Sequence, residues 1–81
     1  MIISLSEMNE DETGSLHSLD QDILEFGFVK DLLDYGFFPG TKIRVIHKFQ
    51  NQSKITVAIG PVEIALRLTD AEHIRVESHH S

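Results

Sequence analysis

The chain has 81 residues, of which 41% are hydrophobic and 25% charged, and so short a chain forms one domain with a thin core. It carries no cysteine, which excludes disulfides, iron–sulfur clusters, cysteine-held zinc and thiol nucleophiles. The net charge is −6, with nine acids against one base in residues 1–36; this argues against nucleic acid as a partner, because affinity for phosphate backbones comes from basic side chains.

Along the chain, residues 1–5 are short, apolar and β-prone, with no basic stretch of the kind that opens a signal peptide. No apolar run approaches the roughly 18 residues of a membrane span, so a cytoplasmic protein without direct membrane insertion is expected. Residues 6–14 are polar, end in Gly14 and read as a loop. Ser15 to Leu19 is a candidate short strand. Asp22 to Tyr35 reads as the one helix, with Asp22 as N-cap and Glu25 as its capping-box partner. Leu24, Phe28, Leu32 and Tyr35 share one face of it, with Val29 and Leu33 alongside. Gly27 interrupts this pattern, so the helix begins after it or breaks there. Gly36 is placed to end the helix in a left-handed conformation, and Pro39 prevents its resumption.

After Gly40 the apolar period drops to two. Ile43 and Val45, then Ile55, Val57 and Ile59, then Val62, Ile64, Leu66 and Leu68, then Ile74 and Val76 each form one face of a half-buried strand. Breaks fall at Phe49–Ser53, Gly60-Pro61 and Thr69–Glu72, the last as a single helical turn. The expectation is a mainly β, small barrel of about five strands with one early inserted helix, spanning 1–81 as a single domain with a polar tail at 78–81. The expected core is Leu16, Leu32, Leu33, Ile43, Val45, Ile55, Val57, Ile64, Leu66, Ile74 and Val76.

The search for chemistry yields little. There is no phosphate-binding glycine loop, no zinc-protease motif and no calcium-loop pattern in the acidic stretch Glu7–Glu12. Acid pairs such as Asp20/Asp22 lie in a solvated polar loop, which gives them no division into acid and base. No enzyme is expected. Of the five histidines, His73, His79 and His80 are the candidates for a transition metal, since imidazole suits such ions; weak ferrous or other divalent binding is their functional reading, and a solvated tail the bland one. His47 sits in a strand, where simple alternation turns it inward and a bulge turns it out. Phe37-Phe38-Pro39-Gly40-Thr41 is the most distinctive segment. Two adjacent phenylalanines at a turn cannot both point into one small core: the functional reading has one seal the barrel end and the other stay accessible as a partner anchor, and the bland reading buries both between helix and barrel.

Leu32-Leu33-x-x-Gly36-Phe37-x-Pro39-Gly40-Thr41-x-Ile43 resembles the hallmark of the ferrous iron transport protein A (FeoA) family. Downstream, Gly60, Glu63-Ile64-Ala65-Leu66-Arg67, Asp70-Ala71 and Ile74-x-Val76 follow the same family's pattern, and Leu5 and Gly14 sit where it opens. Asp31 departs from it, standing where the family usually has arginine. The resemblance implies an SH3-like β-barrel. It also implies a small cytosolic accessory that needs no cofactor and binds the cytosolic GTPase region of FeoB, the membrane ferrous iron transporter, to modulate or assemble it. Phe37, Phe38 and Arg67 are the expected contacts, and Gly36, Pro39 and Gly40 the structural motif. The alternative is a transition-metal carrier or sensor of the same fold.

Overall fold

Six strands and two helices appear in chain order in the computed structural model, which describes residues 1–79: β1 (Ile2–Ser4), β2 (Thr13–Leu19), α1 (Phe26–Tyr35), β3 (Lys42–Phe49), β4 (Lys54–Ile59), β5 (Val62–Arg67), α2 (Leu68–Ala71) and β6 (Ile74–His79). Neighbouring strands pair antiparallel in the order β1-β6-β2-β3-β4-β5. The breaks between strands fall where the turn residues placed them. The sixth strand is the apolar start, too short to count from alternation but long enough to pair Ile2, Ile3 and Ser4 with Glu77, Val76 and Arg75 of β6.

Strand β2 holds the centre, between β6 and β3. Its Gly14 faces Ser78 on one side and Ile43 on the other. A Cβ at Gly14 would stand 2.6 Å from the Glu77 carbonyl oxygen, so the close approach of β2 to β6 requires glycine here. Strand β6 runs on to His79, and Ser78 is buried. The polar tail expected from residue 78 therefore gives two residues to the sheet.

One apolar cluster draws on every strand except β1 and on both helices. Leu16, Leu32, Ile43, Val45, Ile55, Val57, Leu66, Ile74 and Val76 are buried, as alternation and helical spacing require. Two expected core residues are not. Leu33 is exposed, lining a hollow between α1 and Leu16–Leu19 of β2, and Ile64 is only partly covered on the terminal strand. Leu5 and Met8 are fully buried instead. The segment read as loop opens with a 3-10 turn over Leu5–Glu7, whose Glu7 carboxylate accepts the Ser4 N–H at 3.1 Å.

Two bulges reset the alternation. In β3 the register shifts between Val45 and His47, so that His47 pairs with Thr56 and Phe49 with Lys54. His47 and Phe49 consequently face out, their rings 5.5 Å apart, with the Lys54 ammonium 5.1 Å from the Phe49 ring. In β2 the register shifts between Leu16 and Ser18, leaving the exposed His17 without a partner residue in β6.

A candidate interaction surface on the inserted helix

The helix α1 starts later than its capping signature indicates. The carbonyl of Asp20 accepts the N–H groups of Ile23 and Leu24, each at 3.0 Å, making a separate turn. Glu25 is the N-cap, and Gly27 lies inside the first helical turn. At the other end the reading holds. Gly36 adopts φ 107°, the Phe37 N–H donates to the Leu32 carbonyl and the Gly36 N–H to that of Leu33, each at 3.0 Å. This is the Schellman arrangement. The Thr41 hydroxyl then donates to the Gly36 carbonyl at 3.0 Å, and Gly40, at φ 91°, donates its N–H to Leu16 of β2 at 2.7 Å. The Gly36–Thr41 segment thus locks the helix end to the central strand.

That lock sends the two phenylalanines in opposite directions. Phe37 is 0% exposed and is the largest fully buried side chain, whereas Phe38 is 54% exposed. Phe37 is therefore a core residue and is corrected as a partner contact; Phe38 is accessible. Pro39 is exposed beside it. Arg67 is exposed too, its Nε donating to Asp70 at 2.9 Å. It does not join Phe38. Arg67 pairs with Lys54, which pairs with Phe49 at the end of β3, whereas Phe38 precedes the start of that eight-residue strand. At about 3.4 Å per residue the two lie at opposite ends of a strand roughly 25 Å long.

The histidines are also separated. His73 precedes β6 and His79 ends it, roughly 20 Å apart at strand rise. The His73 Nδ1 lies 3.7 Å from an Asp20 carboxylate oxygen that Arg75 already holds at 2.9 Å. The His79 Nε2 is 3.0 Å from the Ser15 hydroxyl. His80 lies outside the described residues. Among the described residues, no three histidine, aspartate or glutamate side chains converge as metal ligands would.

What the structure does bring together is an apolar groove along α1. Phe26, Val29, Lys30 and Leu33 form one stripe of the helix and, with Gln21, line an open hollow of about 330 Å³. Through Gln21 and Leu33 it continues into a second hollow of about 160 Å³ that runs over Leu16–Leu19 to Pro39. Phe26 is 81% exposed and Ile23 63%. Around this stripe the chain from residue 20 to 35 carries Asp20, Asp22, Glu25, Asp31 and Asp34 against Lys30 alone. Lys30 is itself engaged by Asp34 at 3.6 Å, one helical turn on. The surface is thus apolar in the middle and acidic around it. Sequence reasoning missed it because it assigned Leu33 to the core and placed Tyr35 on the apolar face of the helix. The available signal was Phe26, the one aromatic residue of the helix outside the expected buried face.

A family model for the FeoA domain matches residues 3–78. The chain belongs to the FeoA family. These are small accessory domains of ferrous iron transport, and the matched span takes in all of the strands described above but for Ile2 of β1 and His79 of β6. Among solved structures, an iron uptake regulatory protein (FeoA) is similar with a TM-score of 0.81 at 23% identity, over 98% of this chain and 99% of that one. FeoA from Chlorobium tepidum is similar at 0.86 and 23%, over 96% and 71%. The zinc complex of Stenotrophomonas maltophilia FeoA, described as a procaryotic SH3 domain protein, is similar at 0.80 and 22%, over 93% and 89%. A manganese-dependent transcriptional repressor shares the fold at 0.84 and 20%, but this chain spans only 42% of it. No curated protein matches the chain in sequence. The SH3-like fold implied by the hallmark residues is thereby shown, with six strands instead of about five.

Proposed function

We propose that this FeoA-family chain is a cytosolic accessory that binds the cytosolic GTPase region of a FeoB-like ferrous iron transporter, and that α1 supplies the contact. The observation that carries the reading is the hollow along α1, where Phe26 is 81% and Leu33 37% exposed above the buried Val29, in a segment that also leaves Ile23 and Phe38 open. Exposed aromatic anchors beside a hollow are what partners use as hot spots. The acidic surroundings add orientation and steering. Nothing in the reading requires bound metal or catalysis by this chain. No helix among the described residues is long and apolar enough to cross a membrane, so the transporter would provide the membrane step.

The test is an NMR titration of the labelled protein with the isolated GTPase region, with and without nucleotide. Shifts concentrated on residues 21–38, lost in Phe26→Ala, are expected. Shifts confined to the far end of β3 and to Arg67, or no shift at all, would overturn the assignment. A parallel anaerobic titration with ferrous ion addresses the carrier alternative. His79→Ala and His80→Ala are the suitable variants there, because truncation after Glu77 would strip Ser78 and His79 from the sheet.

A further inference from the structure

The sheet ends on an open edge. Among the described residues, strand β5 is terminal in the strand order and pairs only with β4. Among the described residues, none of the hydrogen bonds made outside regular strand pairing uses the backbone of residues 62–67. An unpaired six-residue edge is a template for another strand. The opposite edge, β1, has only three residues.

We propose that β5 is a self-association surface on which two copies of this chain pair antiparallel, with Ala65 on the two-fold axis. The order of side chains along β5 is self-complementary. Glu63, Ala65 and Arg67 alternate with Ile64 and Leu66 and are all exposed on the outward face. An antiparallel two-fold pairing centred on Ala65 places Glu63 of each copy opposite Arg67 of the other, and Ile64 opposite Leu66. Both charge pairs form at once by symmetry, as a self-complementary patch requires. Sliding the register by two residues in either direction loses both. Sliding by four sets glutamate against glutamate or arginine against arginine, which is destabilising. Ala65, at the centre, has no bulk to hold the backbones apart.

Within one copy, Glu63 lies across from Ala58 and makes no ion pair among the described residues. Arg67 gives Asp70 only its Nε, leaving both terminal nitrogens for a second carboxylate. The pairing also extends the inner apolar face at Val62 and Ile64, which one copy covers incompletely. The proposal is independent of the α1 contact, since β5 and α1 occupy different parts of the fold.

Sedimentation velocity over micromolar to millimolar concentrations tests it, together with charge reversal. A weak, concentration-dependent dimer is expected, because one strand edge is a small interface. Glu63→Arg and Arg67→Glu should each weaken it about tenfold or more, and the double reversal should restore it. Circular dichroism would check that each variant stays folded. As the chain has no cysteine, Ala65→Cys provides a second reading. It should oxidise to a cross-linked dimer far faster than Asp31→Cys, an exposed helix position. A monomer throughout, a dimer indifferent to the single reversals, or equal cross-linking of the two cysteine variants would overturn the proposal.

Discussion

The central strands and the helix insertion treat similar residues in opposite ways. On the inner face of β2, β3, β4 and β6, apolar side chains are covered almost completely: Ile43, Val45, Ile55, Val57, Ile74 and Val76 have no more than traces of accessible surface. Between residues 21 and 38, Ile23, Phe26, Tyr35 and Phe38 stand open, amid acids. Hydrophobic burial is the main favourable term in folding, so the sheet holds most of the stability. The insertion instead keeps apolar surface accessible, and it can do so because its two ends are tied down by the buried Leu24 and by the Gly36–Thr41 lock. Stability and recognition are carried by different segments of one small chain.

Several substitutions can break or sharpen that contrast. Phe37→Ala empties the largest buried side chain and should cost about 3–5 kcal/mol, read as a lower midpoint in denaturant; a cost below that of Phe38→Ala would invert the assignment of the pair. Gly14→Ala should cost about 1–3 kcal/mol, since its methyl group meets the Glu77 carbonyl in the middle of the sheet. Gly36→Ala should cost about 1–2 kcal/mol through its left-handed backbone alone, with no clash, as nothing lies nearer than 4.0 Å to an added Cβ. Gly27→Ala should act with the opposite sign and stabilise by about 0.4–1 kcal/mol, because that site is open, in the helix and at ordinary φ. Thermal unfolding of these three glycine variants measures whether close approach, backbone strain or helix entropy governs each position. Phe26→Ala should shift stability by less than about 0.5 kcal/mol while weakening partner binding about tenfold or more, the clearest separation of the two regions.

Much of the architecture was legible along the chain. Period-two alternation located β3 to β6, because a side-chain period survives whatever the strand pairs with. Gly36, Pro39 and Gly40 marked the helix end and the reversal, because backbone conformation at those residues is a local matter. The hallmark around Gly36–Thr41 and the Glu63–Arg67 stretch pointed to the family that the matched domain then showed. The candidate site was legible only in part. That one of the two adjacent phenylalanines stays accessible was foreseen, but not that it is Phe38; Phe37 and Arg67 do not share a surface with it, since one is in the core and the other is at the far end of β3.

The remainder depends on contacts between segments distant in sequence. The bulge that turned His47 and Phe49 outward is set by how β3 registers against β4. The burial of Leu5 and Met8 depends on α2 and β6 packing against the 3-10 turn. The exposure of Leu33 depends on which face of α1 meets the sheet. Local pattern therefore determined where elements begin, end and alternate, since those follow from backbone sterics and side-chain period. Tertiary structure decided which apolar residues were covered, since burial belongs to the neighbours a residue meets and not to the residue itself.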